Sequence, residues 1–325
     1  MNLDLVVCPA CRTATEGRID VRTLERTGDI LSCVCGRRYP VVDEVPIVMA
    51  HPHAYLRSEI ATVVERDVSP EVAALLVEGG PDDAPYARLL EHLSVYMDAQ
   101  WGDHASPPGD FGAEAIQQKL AERAHHRVDL AVELGCSVGR FVSELAAGAF
   151  HVVGVDMHAG AMRRARRILD GENVAFGRRM AGRHYEPAIV QARDRALPSS
   201  RHTLVCGDAL DPPLIHGMFG RVVALNVLDS VSQPRQLLSV MDGLCARGGE
   251  VILSSPYAWQ SNVMADAERI GGADPAAEIT RIFREGINLS GPYVVEEECD
   301  LVWTLRRDAR STVNYRTHYL RARKS

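Results

Sequence analysis

The 325-residue sequence predicts an α/β fold, in which a mainly parallel sheet carries helices on both faces and a small module precedes it. Three observations support this prediction. Strand-like apolar runs alternate with helix-like segments from residue 115 onwards. A turn rich in glycine follows the first of these strands. Four of the eight cysteines fall within the first 35 residues.

The alternating region is predicted from hydrophobic periodicity and from helix start and stop signals. Helices are expected at 115–124, 139–147, 160–169 and 234–244, and strands at 128–134, 151–155, 202–206, 221–226 and 250–254. Two further strands, at 294–298 and 312–321, would finish the sheet as an antiparallel pair around a loop. Residues 170–200 are polar and are predicted to be an irregular insertion. Such an alternation is typical of a Rossmann-like sheet.

The first predicted strand ends in an acid and runs into a tight turn. Glu133 is followed by Gly135, Ser137 and Gly139, and then by a helix. Small residues let a ligand approach the backbone closely, and the start of a helix offers free N–H groups. The spacing Gly-x-x-x-Gly differs from the Gly-x-Gly-x-x-Gly of dinucleotide folds. The turn therefore need not hold a pyrophosphate.

Polar residues also follow the next three predicted parallel strands. Asp156 comes 21 residues after Gly135, which is close to the spacing at which neighbouring strands present a loop and an acid together. A carboxylate there can accept both hydroxyls of a ribose. Asp208 follows the third strand, and Asn226 ends the fourth. Each acid alone could be a helix cap or a turn residue, but the combination predicts a site for a nucleoside-containing ligand.

These segments resemble class I S-adenosylmethionine-dependent methyltransferases. Four of them are also similar to the C-terminal methyltransferase domain of ovothiol synthases, which methylates a ring nitrogen of 4-mercaptohistidine. They are residues 96–102, 134–140, 226–231 and 248–259. The resemblance covers roughly residues 90–320, and it implies an S-adenosylmethionine cofactor.

The resemblance also implies residue roles. Glu133 to Gly139 would line the methionine part of the cofactor, Asp156 would hold the ribose, and Asp208 and Ala209 would contact the adenine. The segment from Tyr96 to Trp101 would fold over the cofactor as a lid, although it could instead be a helix that only packs on the sheet. The full implied cofactor set is Tyr96, Gln100, Trp101, Glu133, Gly135, Ser137, Gly139, Asp156, Met157, Asp208, Ala209 and Asn226.

The N-terminal cysteines have the spacing of a metal site. Cys8 and Cys11 form a Cys-x-x-Cys pair, and Cys33 and Cys35 form a Cys-x-Cys pair. Four thiolates suit tetrahedral structural zinc, and a module with so small a core needs a bound metal for its stability. The alternative is that the four cysteines are free thiols in a fold without metal. The module, through residues 39–46, is similar to the zinc-ribbon family that includes the activator subunit of some tRNA and protein methyltransferases.

Three regions are therefore expected. Residues 1–50 would be the zinc ribbon, residues 51–112 a helical linker and cofactor lid, and residues 113–325 the methyltransferase domain. Helices are predicted in the linker at 55–66, 70–77 and 84–100.

Catalysis by such a domain needs little beyond alignment, because the sulfonium is a good leaving group. Asp229, after the fourth strand, could orient the acceptor or deprotonate it, and Tyr257, after the fifth, could form a wall against an aromatic substrate. A helix cap and core packing are the respective alternatives. Arginines in 171–200, among them Arg178 and Arg179, could recognise a carboxylate.

Charge and hydropathy narrow the function. The net charge of −7 and the pI of about 6.0 argue against a nucleic-acid substrate. No segment approaches the ~20 apolar residues that span a bilayer, and no targeting signal is visible, so a cytoplasmic protein is expected. We expect a small-molecule methyltransferase directed at N, S or O, acting on an imidazole, a thiol or an amino-acid-derived metabolite. An rRNA or tRNA methyltransferase with an RNA-binding ribbon, and a non-catalytic cofactor-binding scaffold whose ribbon binds a protein partner, are the alternatives.

Overall fold

The secondary structure is taken from a computed structural model that describes residues 3–15, 18–20, 23–69, 71–72, 75 and 85–325. Along the chain the strands are β1 (Thr13–Thr15), β2 (Arg18–Asp20), β3 (Glu25–Thr27), β4 (Ile30–Ser32), β5 (Arg38–Val42), β6 (Val45–Pro46), β7 (Ala105–Ser106), β8 (Val128–Leu134), β9 (Ala149–Asp156), β10 (Val174–Ala181), β11 (His184–Val190), β12 (His202–Cys206), β13 (Phe219–Leu225), β14 (Cys245–Ser255), β15 (Tyr293–Asp308) and β16 (Ser311–Lys324). The helices are α1 (Pro52–Val63), α2 (Pro85–Trp101), α3 (Glu114–Glu122), α4 (Arg140–Leu145), α5 (Ala159–Leu169), α6 (Pro234–Leu244) and α7 (Pro275–Glu285).

The central sheet has seven strands in the order β12-β9-β8-β13-β14-β16-β15. The first five strands are parallel to one another. Strand β16 is antiparallel to both of its neighbours, β14 and β15. The predicted α/β fold is confirmed, and β8, β12 and α6 begin and end at the predicted residues. The predicted helix at 70–77 lies mostly outside the described residues. Among the described residues, no helix is both long enough and apolar enough to cross a membrane.

Alternate residues of each parallel strand face opposite layers of helices, as the period of two requires. On one face Val152 packs in a core with Phe141 of α4 and Met162 of α5. On the other face Val153 packs in a core with Leu237 of α6. Both faces of the parallel strands are therefore buried, and this leaves the carboxyl ends of the strands as the open edge.

The C-terminal hairpin is longer than predicted. Residues 299–311, expected as a loop, continue β15 to Asp308 and begin β16 at Ser311. Exposed and partly buried residues alternate along β15. Ion pairs of Arg321 with Glu296 and Glu297 cross between its strands. The apolar alternation that predicts strands is weak here because charged residues occupy the solvent-facing positions.

The prediction that residues 170–200 are irregular is wrong. They form the hairpin β10–β11, whose free edge pairs with β7. Val174 and Val190 are fully buried in a small core with Trp101 of α2. Arginines among the apolar residues hide the strand pattern in the sequence. These arginines form ion pairs within the protein, Arg178 with Asp98 and Arg179 with Glu91.

The N-terminal module joins the main sheet at its β12 edge. Ile47 forms a parallel bridge with Cys206, and the Val48 amide donates to the Cys206 carbonyl at 2.9 Å. Val7 donates its amide to the carbonyl of Pro213 at 2.9 Å. The module therefore touches both β12 and the segment that follows it. The division at residues 50 and 112 stays a prediction.

We expect His202 to make stability sensitive to acid. Its ring is 0% exposed on β12, neither ring nitrogen has a hydrogen-bond partner among the described residues, and burial lowers the pKa of His202 from 6.5 to about 4. The unfolded chain thus binds a proton at a higher pH than the folded chain does, so the free energy of unfolding falls as the pH drops from 6.5 to 4. His202→Phe should reduce this fall by up to about 3 kcal/mol. Urea unfolding of the wild type and the variant at pH 7 and pH 4.5 measures the free energy of unfolding. An equal loss of this free energy in both proteins would contradict the role of His202.

Candidate active site

A cavity of about 440 Å³ opens at the carboxyl ends of the parallel strands. Eleven of the fourteen residues predicted for the site line it. They are Tyr96, Gln100, Glu133, Gly135, Ser137, Asp156, Met157, Asp208, Ala209, Asn226 and Asp229. The structure thus brings together residues from α2 and from the carboxyl ends of four parallel strands, which meet at a common edge.

The glycine turn after β8 forms the floor of the cavity. Gly135, Ser137 and Gly139 all have positive φ angles, of 76°, 48° and 82°. The Gly135 amide donates to the carbonyl of Val155 at 2.7 Å, which ties the turn to β9. A Cβ atom at Gly135 would overlap Val227 Cγ2, so that only glycine fits both the φ angle and the space.

Asp156, at the end of β9, organises this floor. Its Oδ2 accepts from the Ser137 amide at 2.9 Å, and its Oδ1 accepts from the His158 amide at 2.8 Å. His158 Nδ1 lies 3.0 Å from the same Oδ1. Burial alone would raise the pKa of Asp156, but these hydrogen bonds and the charge of His158 lower it overall. Asp156 is therefore an anion that faces the cavity.

Two buried polar atoms of the cavity wall have no partner among the described residues. Glu133 is 1% exposed, and its Oε2 accepts no hydrogen bond. Burial and the nearby charge of Asp156 raise the pKa of Glu133 well above its usual value. Asn226 uses its Oδ1 to accept from Ser254 Oγ at 3.1 Å, while its Nδ2 is unpaired. An unmet acceptor and an unmet donor are costly when buried, so the pair fits a ligand with an ammonium and a carboxylate group.

The charge of the cavity is negative. Four carboxyl side chains line it: Glu133, Asp156, Asp208 and Asp229. None of the described lining residues is a lysine or an arginine. A pyrophosphate would meet repulsion here, whereas a sulfonium or an ammonium group would be attracted. The cavity therefore fits S-adenosylmethionine better than a dinucleotide.

Helix α2 lies against the cavity, and its expected role as a lid over the cofactor stays a prediction. His92, Tyr96 and Gln100 are four residues apart, share one face of the helix and line the cavity. Sequence reasoning missed His92, because a histidine on an apolar helix face carries no specific signal. Its ring stands 4.5 Å from the Tyr96 ring and 5.3 Å from the His158 ring. Burial, together with the charge of His158, lowers the pKa of His92.

Ion pairs and a hydrogen bond outside the cavity hold α2 in place. Asp98 is completely buried and pairs with Arg178 at 2.9 Å and with Arg306 at 3.4 Å. Trp101 does not line the cavity, since its buried indole Nε1 donates to the Val138 carbonyl at 2.9 Å. This hydrogen bond links α2 directly to the glycine turn. The arginines considered for carboxylate recognition thus hold α2 to the hairpins instead.

Two other predicted residues also lie behind the wall. Gly139 is the left-handed residue before α4, and a Cβ there would come 2.8 Å from Ala165 Cβ. The Tyr257 hydroxyl lies 2.7 Å from His318 Nδ1, and its backbone has a positive φ of 54°.

Asp229 lines the cavity and accepts from the Ala258 amide at 2.8 Å. Burial raises the pKa of Asp229.

Aromatic residues close the far end of the cavity. Phe141, Trp303 and Tyr315 line it together with Leu305. Trp303 and Tyr315 are direct partners across the β15–β16 ladder. The Phe141 and Trp303 rings are 6.1 Å apart. The signal was missed because Trp303 lies in the segment predicted as a loop.

The four N-terminal cysteines converge as predicted. Their Sγ atoms all lie within 4.8 Å of one another, with 3.8 Å between Cys8 and Cys35 and 3.6 Å between Cys11 and Cys33. These separations are too long for disulfides, whose S–S bond is about 2.05 Å. Sulfurs about 2.3 Å from a tetrahedral zinc ion are about 3.8 Å apart, so the donor set and its spacing fit zinc.

Gly135→Ala should damage the cavity without unfolding the protein. The new Cβ would push against Val227 in the cavity wall, so we expect the affinity for S-adenosylhomocysteine to fall at least tenfold. Gly182→Ala is the matched control, because Gly182 also has a positive φ, of 54°, but has no atom within 4 Å of an added Cβ. Both variants should lose about 1 kcal/mol of stability from backbone strain. If calorimetry shows an unchanged affinity of Gly135→Ala for S-adenosylhomocysteine, the glycine turn is not part of the cofactor site.

The chain is also similar to known proteins. Residues 132–253 match the family described as methyltransferase domain. No curated protein matches the chain at a significant level.

Solved structures also share similarity with the chain. Magnesium protoporphyrin IX methyltransferase from Synechocystis PCC 6803, with bound SAM, is 15% identical, with 81% of this chain and 100% of that chain covered and a TM-score of 0.44. The N-methyltransferase NodS from Bradyrhizobium japonicum WM9 is 15% identical, with 75% and 99% covered and a TM-score of 0.40. A complex that contains the Haloferax volcanii Trm112 methyltransferase activator matches at 14% identity, with 72% and 96% covered and a TM-score of 0.45.

The family match runs from within β8 to within β14 and so spans the parallel part of the sheet, including the glycine turn and the loop of Asp156. Residues 132–253 are therefore similar to a methyltransferase domain, and the sheet that they form has a Rossmann-like fold.

Proposed function

We propose that this protein is an S-adenosylmethionine-dependent methyltransferase that acts on a small molecule. The observation that carries the proposal is the acidic cavity over the glycine turn, with its unpartnered Glu133 Oε2 and Asn226 Nδ2. The similarity to ovothiol-synthase methyltransferase domains favours an imidazole acceptor, and a thiol or an amino-acid-derived metabolite are the other classes.

The cavity residues divide the cofactor between them. Asp156 would accept hydrogen bonds from the ribose hydroxyls, and Asp208 with Ala209 would contact the adenine. Glu133 would accept from the ammonium group, and Asn226 would donate to the carboxylate. When bound, the cofactor supplies an electrophilic methyl group on a sulfonium. Tyr96 and Gln100 on α2 would cover it and exclude water.

The protein's own part in the reaction is alignment and the handling of one proton. Asp229 faces the cavity with a raised pKa, so it is a stronger base than an exposed carboxylate. It would accept or hold the proton of an N–H, O–H or S–H acceptor. Tyr257, fixed by His318, would position the Pro256–Gln260 stretch of the wall rather than contact the substrate.

Structural zinc at Cys8, Cys11, Cys33 and Cys35 is part of the proposal. Four protein ligands leave no open coordination position, so the ion would stabilise the 1–50 module and take no part in the chemistry. Residues 51–112 would then act as linker and lid, and residues 113–325 as the catalytic domain.

Methylation of RNA is the second candidate. One observation favours it: a groove of about 790 Å³ between the module and α1 is lined by Arg37, Arg38, His51 and His53, and by no described carboxylate. Such a groove would suit a phosphate backbone. Salt-sensitive retention of RNA by the protein would support this candidate.

Labelled cofactor identifies the acceptor. The protein is incubated with a cell extract and S-adenosylmethionine that carries a deuterated methyl group, and both the small-molecule and the RNA fractions are analysed by mass spectrometry. We expect the label in one small molecule, with none when Asp156→Ala replaces the wild type. Label in RNA would favour the second candidate, and no label in any fraction would favour a non-catalytic scaffold.

A further inference from the structure

We infer that the methyl acceptor is a flat aromatic or heteroaromatic ring that carries no net negative charge. This inference rests on the proposed function and narrows its substrate class. It follows from three features of the cavity: where its aromatic residues lie, which charges surround them, and how the nearby arginines are already used.

The aromatic end of the cavity, defined as Phe141, Leu305, Trp303, Tyr315 and Tyr96, is separate from the adenine side. The spatial order of the sheet places β12, and with it Asp208 and Ala209, at one edge. Trp303, Leu305 and Tyr315 lie on the part of the β15–β16 hairpin that extends beyond its pairing with β14, and Trp303 packs against Phe141 of α4. The aromatic end is therefore built from other elements than the loop after β12 that is proposed to hold the adenine.

Aromatic side chains from four elements, α2, α4, β15 and β16, line the aromatic end. Trp303 is 4% exposed, and its ring is inclined by 45° to the Phe141 ring. Tyr96 of α2 lies near Tyr315 and Asp229, and burial raises the pKa of Tyr96 to about 12, so its hydroxyl stays protonated. Aromatic side chains that line a cavity stack with a flat ligand and add about 0.5–1.5 kcal/mol per pair beyond the burial of area.

Charge excludes an anionic ligand from this space. Of the four carboxyl groups of the cavity, three are assigned above to the cofactor and Asp229 is left to face a substrate, and none of the described lining residues is a lysine or an arginine. A ligand with a net negative charge would be repelled, whereas a neutral or cationic ring would be accepted. Asp229, Ser230 and Gln260 line the rim and offer acceptors for a ring N–H or an amino group.

The nearest arginines cannot turn toward a ligand without breaking buried ion pairs. Arg140 is fully buried, stacks over the Phe111 ring at 4.5 Å, and pairs with Asp103 at 2.8 Å and with Glu144 at 2.9 Å. Arg306 pairs with Asp98, as described above. Both arginine side chains are therefore already paired with carboxylates of the protein.

Ligand binding tests the inference in the presence of saturating S-adenosylhomocysteine, whose own affinity is measured first. If S-adenosylhomocysteine does not bind, the proposed function fails and not this inference alone. The probes are tryptamine (a cation), tryptophol (neutral), indolepropionate (an anion) and cyclohexylethylamine (a cation without an aromatic ring), titrated by calorimetry.

We expect tryptamine and tryptophol to bind at least tenfold more tightly than indolepropionate, and tryptamine at least tenfold more tightly than cyclohexylethylamine. Trp303→Leu and Tyr315→Leu should each weaken tryptamine at least fivefold and keep S-adenosylhomocysteine binding, which shows that they fold. Phe150→Leu, at an aromatic residue that is 72% exposed, is the matched control and should change neither. The inference is overturned if indolepropionate or cyclohexylethylamine binds as tightly as tryptamine, if none of the ring compounds binds at millimolar concentration, or if both leucine variants bind tryptamine normally.

Discussion

Asp156→Ala is expected to lower the affinity for S-adenosylmethionine at least 100-fold. The change removes the acceptor for the ribose hydroxyls, and hydrogen bonds to a charged group contribute about 1.5–3 kcal/mol each. It also removes the carboxylate that accepts from the Ser137 amide and so fixes the glycine turn. Because about 1.4 kcal/mol corresponds to a tenfold change, losing two such bonds accounts for the expected effect. Calorimetric titration of the variant measures it.

Two variants control this result. Asp156→Asn keeps an oxygen acceptor but loses the charge, so its affinity should lie between those of the wild type and the alanine variant. Asp129→Ala removes an exposed acid of β8 near the opposite, amino-terminal end of the strand. It should bind the cofactor normally. An Asp156→Ala protein that is folded and binds within threefold of the wild type would refute the ribose role.

Removal of zinc is expected to destabilise the N-terminal module and to weaken cofactor binding as well. Structural zinc contributes about 10–16 kcal/mol of binding free energy in zinc-finger peptides, far more than a 50-residue core supplies. The module also braces the segment after β12, because Arg12 pairs with Asp211 and Val7 donates to the Pro213 carbonyl. That segment carries Asp208 and Ala209, so its release should lower the affinity for S-adenosylhomocysteine at least tenfold.

Metal analysis, thermal unfolding and cofactor titration of the Cys11→Ser variant check this prediction. One zinc per chain is expected in the wild type and in the control Cys299→Ser, whose thiol lies outside the cluster, and markedly less in Cys11→Ser. Arg12→Ala separates the brace from the metal: it should keep zinc and still lose cofactor affinity. A wild-type protein with less than half an equivalent of zinc and no response to a chelator would overturn the metal site.

The parallel core could be predicted from the sequence because its physical signals are local. β8 and β12 are short, mostly apolar segments between polar turns, and both strands have their predicted ends. The polar residues at the strand ends met at one edge because parallel strands require it. Even the cysteine cluster followed from spacing alone.

The substrate side could not be predicted, because it depends on pairing between distant segments. Trp303 and Tyr315 face the cavity only because β15 and β16 form one long hairpin with a shared register. Their strands carry charges on the solvent face, which hides the alternation of apolar residues. Arg178 suggested a ligand contact from composition, yet it pairs with Asp98, a partner 80 residues away that only the fold reveals.

Titration of the protein with S-adenosylmethionine in a calorimeter, with NAD as the comparison ligand, tests the central claim most directly. An acidic cavity over a Gly-x-x-x-Gly turn predicts saturable binding of one S-adenosylmethionine per chain and no detectable binding of NAD at the same concentrations. Absence of S-adenosylmethionine binding at millimolar ligand, or tighter binding of NAD, would contradict the account.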